Sequence, residues 1–325
     1  MSRKSAISLG AIVCAMACAT TAPLTAQTFP QRPIKVVVPF GPGSAVDTIP
    51  RIILEQMAVG LGQPLIVENR AGAGGTIGMT AVAKADPDGY TLLVNSSAHT
   101  IVPSVYKSLS INVTADLVGV AMLGNLPQVM ITAKSKGFKT AKDLVDAAKA
   151  KPDSFNFSTA GVGTATHLAA EKFRLAAGFD ARHVPFKSGS EALTEIITGR
   201  VDYYFCPIGT AMPAINDGRI VGLAVSPPKR TVSLPNVPTT IEVGYPGSDY
   251  MFWVGLFAPA KTPQAVIDKL HAAAMTAIGH PSVKERLAKN AMEPLSMSPA
   301  ELDRFVAAEI PVNAKLVKAL GLGGK

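Results

Sequence analysis

VVVPFGPGSAVDTIPR, residues 36–51, passes from one kind of backbone to another within a few residues. A β-branched apolar run, Val36 to Val38, stops at Pro39. A Gly41-Pro42-Gly43 turn follows, and hydroxyl and acidic residues then stand at the start of a helical pattern. This is a strand, a tight loop and a helix N-terminus. Small residues let the backbone come close to a bound group, and the unpaired N–H groups of the first helical turn from Ser44 to Asp47 suit an anion such as a carboxylate or phosphate. A plain βα turn in which Asp47 only caps the helix explains the same residues.

Outward from this stretch the alternation continues. Strands are expected at Ile34–Val38, Leu65–Val67 and Tyr90–Val94, with helices at Asp47–Leu61 and Gly72–Ala85, a βαβαβ pattern that implies a parallel sheet covered by helices. Val118–Thr132 is a long apolar stretch broken at Gly124 and Pro127. A helix near Ala141–Ala150 and a second alternation follow: strands Phe155–Ser158, His183–Phe186, Val201–Phe205 and Ile220–Val225, with helices Thr164–Ala176 and Glu191–Thr198. Two similar halves imply two lobes. Ser226–Pro246 reads as an irregular return loop and Phe252–Ala258 as a strand passing back. Helices then start at Pro263 and Pro299, each opened by a hydroxyl residue and a proline, and pack on the first lobe.

The first 26 residues have Arg3 and Lys4, an apolar core and small residues ending at Ala26, as in a secretory signal peptide cleaved near Ala26. A lipid anchor on Cys14 or Cys18 would need a leucine-led motif that is missing. Beyond Ala26 the only cysteine is Cys206, so no intramolecular disulfide forms and stability rests on packing. Removing the leader leaves 29 basic against 23 acidic residues, a formal charge of +6 that favours anionic ligands. The basic residues are scattered without interleaved aromatics, which argues against nucleic acid as a partner. Gly72 to Gly78 lacks dinucleotide spacing and no phosphate-loop motif occurs, so no nucleotide cofactor is expected; hydrolase and zinc-protease motifs are also missing.

In open α/β sheets ligands sit beyond the carboxyl ends of the strands. The loops to watch are therefore Phe40–Asp47, Asn95–His99, Thr159–His167, Lys187–Ser190 and Pro207–Thr210, all rich in Gly, Ser and Thr. Their N–H and hydroxyl donors suit a carboxylate in a closed cleft.

PF-PG with Asp47, GQP (62–64), ENRAGAGGTIG (68–78), ADPDGYTLL (85–93), HLAAEKF (167–173), VPFKSGSEAL (184–193), GRVD (199–202), GLAVS (222–226), LPNVPTTIEVGYPG (234–247) and the segment from Trp253 to Pro263 together resemble the Bug family, the extracytoplasmic solute-binding receptors of tripartite tricarboxylate transporters. The resemblance spans nearly the whole exported chain. It implies an α/β periplasmic-binding-protein fold of type II, with two lobes closing on a ligand cleft: residues 27–124 plus 250–325 in lobe 1 and 125–249 in lobe 2. It also implies a periplasmic, monomeric receptor that is not an enzyme and carries no cofactor or metal. Its partners would be a small carboxylate and the membrane components of the transporter.

By motif, the ligand carboxylate falls to Gly43, Ser44, Ala45 and Asp47, and to Ser96, Ser97 and His99. The second lobe contributes Thr159, Gly163, Thr164 and Thr166, with Lys187, Ser188 and Gly189. Phe40, inside the first loop, and Pro207, after the strand at Val201–Phe205, complete the candidate set. Ser44 stands where the family has glycine, Pro50 where alanine is common, and Pro311 predicts a kink in the last helix.

Several of these residues have two readings. Asp47 either meets the ligand or caps the helix, with Arg51 pairing an acid one turn later. His99 either bonds the ligand's distal group or faces solvent. His167 and Glu171 have metal-like spacing but no third ligand, which leaves His167 as a helix-start residue near the cleft. Tyr203, Tyr204 and Phe205 alternate in facing, so one side is core and the other is free to wall the ligand. Dicarboxylates, aromatic acids, amino acids and uncharged analogues all remain open as ligands. A sensor role, docking on a membrane signalling protein, would use the same closure.

Overall fold

The computed structural model describes residues 29–152 and 154–323. The signal peptide expected over residues 1–26 lies outside them. In chain order the strands are β1 (Ile34–Val38), β2 (Leu65–Asn69), β3 (Thr91–Ser96), β4 (Leu117–Asn125), β5 (Gln128–Ala133), β6 (Asn156–Thr159), β7 (Arg182–Pro185), β8 (Tyr204–Pro207), β9 (Ile220–Val225) and β10 (Trp253–Pro259). The helices are α1 (Ala45–Leu61), α2 (Thr76–Ala83), α3 (Ala98–Val105), α4 (Val113–Asp116), α5 (Ala141–Ala150), α6 (Ala165–Ala177), α7 (Gly189–Ile197), α8 (Ile208–Asn216), α9 (Gln264–Gly279), α10 (Pro281–Lys289) and α11 (Pro299–Ala319).

One lobe is built on the sheet β2-β1-β3-β10-β4, in which β1 runs parallel to β2 and β3 while β10 runs antiparallel to β3 and β4. The other has β8-β5-β9, all antiparallel, and the parallel pair β6-β7, joined by the bridge between Phe157 and Tyr203. Taken across that bridge, its order β7-β6-β8-β5-β9 repeats the first lobe's. In each lobe the strand that runs against its neighbours, β10 or β5, is the one arriving from the other lobe.

The two crossings lie side by side. Leu126 donates its N–H to Phe252 O at 2.6 Å, Tyr250 to Ser226 O at 2.8 Å and Ser226 to Gln128 O at 2.9 Å. This pairing ties the two crossings into a short double-stranded connection. Helix α11 packs on α3 and β4, and α9 on α1 and β4, so the C-terminal helices cover the first sheet.

Local sequence accounts for most boundaries. The valines of β1 are buried and alternate poorly, as expected for a strand covered on both faces. Helix α1 ends at Gly62, whose φ of +69° only glycine adopts freely. Where the structure departs from expectation, the reasons are local. The helix expected over Gly72–Ala85 begins only at Thr76, because Gly72, Ala73, Gly74 and Gly75 all have positive φ and form a separate tight turn. The strand expected at Val201–Phe205 is displaced to Tyr204–Pro207. Helix α8 replaces most of the loop expected at Pro207–Thr210, and α3 takes up Ala98 and His99 at the end of the loop expected at Asn95–His99; each carries an internal proline, Pro213 and Pro103, that masks its period. The last helix runs on through Pro311 to Ala319.

Candidate functional site

Between the lobes lies a narrow cleft that leaves about 30 Å³ free for the centre of a water-sized sphere. Its walls come largely from the first turns of four helices. Ser44, Ala45 and Val46 open α1, and Thr164, Ala165 and Thr166 open α6. Gly189 and Ser190 open α7, and Pro207 and Thr210 belong to the start of α8. Strand β8 runs straight into α8, whereas short loops of three to six residues rich in Gly, Ser and Thr lead from β1, β6 and β7 into α1, α6 and α7.

Three of these helices, α1, α6 and α8, have no side-chain cap. Among the described residues the N–H groups of Ala45, Val46, Ala165 and Thr166 meet no acceptor. Each helix N-terminus carries roughly half a positive charge, and aligned ends add. No ionisable acid or base lines the cavity apart from the Tyr204 phenol, so nothing on its walls competes with a bound anion.

Two buried hydroxyls on the walls are unpartnered: Ser44 Oγ and the Tyr204 hydroxyl. The Tyr204 hydroxyl lies beside the side chains of Thr166 and Cys206 without hydrogen-bond geometry to either. Burial pushes its ionisation well above the ordinary tyrosine value, so it remains a neutral donor. Thr164 Oγ1 donates to Gly161 O at 2.8 Å and lies 3.0 Å from Thr166 Oγ1, which in turn accepts from the Ala160 amide at 3.0 Å. These bonds hold the second-lobe loop in shape. Ser44 Oγ and the Tyr204 hydroxyl join the open amides of the helix starts as donors that the cavity offers to an anion.

Of the sequence-predicted residues, the structure brings Phe40, Ser44, Ala45, Ser96, Thr164, Thr166, Gly189 and Pro207 to this cavity. The others lie off its walls. Asp47 is buried behind the loop with both oxygens engaged: it accepts from the Gly43 amide at 2.9 Å, Arg51 Nη2 at 2.8 Å and Asn69 Nδ2 at 2.9 Å. Burial alone would raise its pKa, but the bonds from Arg51, Asn69 and Gly43 outweigh it and hold the carboxylate low. Its role is to clamp the loop. Gly43, at φ +78°, accepts at its carbonyl from Ser190 Oγ at 3.2 Å, a bond between the lobes.

His99 neither lines the cavity nor faces solvent. Its ring is buried, stacked 4.1 Å from Phe257, and bonded at Nδ1 to Asn95; burial lowers its pKa to about 3. The rotation of α3 points it into the first-lobe core. Ser97 starts the same helix with its amide tied to Trp253 O. Thr159 bonds His183 Nε2 at 2.7 Å behind the loop, and Gly163 donates to His167 Nδ1 at 3.2 Å. His167 stacks on His183 at 4.0 Å, and among the described residues no cluster of three or more metal-ligating acid, histidine or cysteine groups forms. Ser188 caps α7 through the Glu191 amide, and the exposed Lys187 lines a neighbouring chamber.

Val46, Ala160, Ala165, Ser190, Thr210 and Phe252 join the cavity without having been singled out as site residues. Of the alternating run Tyr203–Phe205, Tyr204 is the one at the cavity, while Tyr203 stacks on Phe157 at 5.4 Å in the core.

The comparisons with known proteins agree with this geometry. Residues 49–322 match the model of the tripartite tricarboxylate transporter family receptor. The chain is 36% identical over 310 residues to the UPF0065 protein in the tcbD-tcbE intergenic region of Pseudomonas sp. (strain P51), covering 95% of this chain and 92% of that one. It matches the structure of the periplasmic binding protein BugD with a TM-score of 0.87 and 31% identity, covering 91% of this chain and 100% of that one. MatC from Rhodopseudomonas palustris with bound malate matches at a TM-score of 0.84 and 33% identity, covering 89% and 100%. Among the described residues no helix is long and apolar enough to cross a membrane. Two α/β lobes, a cavity of helix N-termini and a family match over most of its length place the chain in the tripartite tricarboxylate transporter receptor family, the Bug proteins, which are periplasmic binding proteins and not enzymes.

Proposed function

We propose that the protein captures a small organic carboxylate between its lobes and delivers it, as a monomer, to the membrane components of a tripartite tricarboxylate transporter. The observation that carries this reading is the convergence of four helix N-termini, one from the first lobe and three from the second, on a cavity without ionised walls. An anion held there is shared between lobes, so its binding energy favours the closed arrangement over one with the lobes apart. Ser190 Oγ to Gly43 O and the Tyr106 hydroxyl to Val162 O, both at 3.2 Å, join residues of the two lobes and support this reading. The relative that holds malate supports the ligand class.

The division into lobes at residues 124–125 and 249–250 follows the same reading, with the hinge at the paired crossings. The test is calorimetry against a panel of small carboxylates and their neutral amides. Trp253, the only tryptophan, is buried beside Phe252 of the cavity wall and gives a fluorescence readout. Saturable binding of acids but not amides is the expected result, and equal binding of both removes the anion from the argument. Deleting the gene and measuring uptake of the identified acid tests delivery; undiminished uptake excludes it.

A further inference from the structure

Glu309 lies on α11, off the walls of the cavity, and its half-buried carboxylate forms no ion pair among the described residues. One of its oxygens takes two donors: Oε2 lies 2.7 Å from Thr100 Oγ1 on α3 and 2.9 Å from Trp253 Nε1 on β10. Asn313, one turn further along α11 and past Pro311, donates from Nδ2 to the same Thr100 hydroxyl at 2.9 Å. Burial raises the pKa of the Glu309 carboxyl against the lowering effect of the two bonds. A desolvated acid without a cation adds little to stability, so stability alone does not explain its place.

Both donors belong to segments that carry the cavity wall. Phe252 and Ser96 line the cavity, and Trp253 and Ser97 are their chain neighbours. Trp253 stands where the second crossing enters the first lobe; just before it, Phe252 O accepts the Leu126 amide of the first crossing at 2.6 Å. The Ser97 amide donates to Trp253 O at 3.0 Å, and Val254 is paired with Ser96 across β10 and β3, so the two wall residues move with one another. Thr100 has one proton to give, and Glu309 is the nearer acceptor, at 2.7 Å against 2.9 Å for Ser97 O. Around the indole stand the rings of Phe305 at 5.7 Å, Phe257 at 6.3 Å and His99 at 6.5 Å. Ring contacts leave an indole free to slide, whereas a directional N–H to carboxylate bond fixes its depth and tilt.

We infer that Glu309 is a positioning residue of the ligand site: from the last helix it sets Trp253 and Thr100, and through them the placing of Phe252 and Ser96 on the cavity wall. The inference rests on the receptor reading and adds to it a residue outside the cavity on which affinity depends. What Glu309 supplies is an acceptor at a fixed point, since no cation answers its charge. Glutamine keeps that acceptor with the same shape, and leucine keeps the bulk and removes it.

Calorimetry of the purified protein against acetate, succinate, malate and adipate supplies the affinities, and the emission of Trp253, the only tryptophan, reports the indole bond. Glu309→Leu is expected to weaken the best-binding of these acids roughly tenfold or more and to shift the emission of the unliganded protein. Glu309→Gln is expected to restore the wild-type emission maximum and most of the affinity. Thr100→Val, which removes the other donor and keeps the shape of the side chain, is expected to weaken the same acid severalfold, and it carries the test if Glu309→Leu does not fold. Wild-type affinity in folded Glu309→Leu, or in Thr100→Val, shows a purely structural role and overturns the inference while leaving the receptor reading intact. A Glu309→Gln variant as weak as Glu309→Leu overturns it too, because the charge and not the acceptor is then required. No binding of any of the four acids by the folded wild type overturns the inference and the receptor reading together.

Discussion

Replacing Tyr204 by phenylalanine removes one oxygen and nothing else from the cavity wall. In the unliganded protein that oxygen is buried and unpartnered, a state that costs about 1–3 kcal/mol, less where cavity water reaches it. Tyr204→Phe is therefore expected to stabilise the empty protein by roughly 1 kcal/mol, or about 2 °C in Tm for a chain of this size. With a carboxylate bound, the hydroxyl becomes a donor to a charged acceptor. Such a bond contributes about 1.5–3 kcal/mol, so the same substitution is expected to weaken binding roughly 10- to 100-fold. Because burial holds the phenol protonated, the loss is expected to be constant from neutral pH to mildly alkaline pH. Thermal unfolding without ligand and calorimetry with the best-binding acid measure the two effects. Opposite signs identify a group kept unsatisfied for its guest. An unchanged Kd refutes the donor role, and a variant that is both less stable and weaker in binding shows that the loss is one of packing.

Three other outcomes follow from the geometry. Asp47→Asn removes the charge that anchors Gly43, Arg51 and Asn69 and is expected to cost about 2 kcal/mol in denaturant unfolding at pH 7. Because the folded carboxylate titrates low, its stabilisation is present above the unfolded value near pH 4 and disappears as pH falls through the folded one, so wild type and variant should converge in acid; parallel curves would refute the clamp. His99 titrates near pH 3 when folded and near 6.5 when unfolded, so acidification through that window favours the unfolded chain by up to about 1.4 kcal/mol per pH unit. His99→Gln should lose less stability than wild type between pH 6 and 5, and equal losses would mean the imidazole is hydrated in the fold. Gly74→Ala places a methyl 2.8 Å from Val162 O on the facing lobe and is expected to weaken every ligand at least tenfold without unfolding either lobe; wild-type affinity would show that the lobes need not meet there.

Sequence alone determined the units of this protein. Strands such as Ile34–Val38, the helix end at Gly62 and the helix at Ala141–Ala150 follow from residues a few positions apart, because β-branched runs, left-handed glycines and capping hydroxyls act locally. The same local signals marked the loops that end in helix N-termini. What they left undetermined was orientation. His99 sits two residues from Ser97 in a loop marked for the ligand, yet the turn of α3 sends it into the core against Phe257. Asp47 lies three residues from Ser44, and its oxygens are taken by the Gly43 amide, by Arg51 and, from β2, by Asn69, a partner that no local spacing announces. Tertiary structure alone decided which loops meet: Ser44, Thr164, Gly189 and Pro207 become neighbours because two lobes of the same strand order face each other beyond the paired crossings. The direction of a side chain is set by packing its whole element, and the meeting of helix ends some 160 residues apart by the docking of two cores, neither of which is encoded at the positions that form the site.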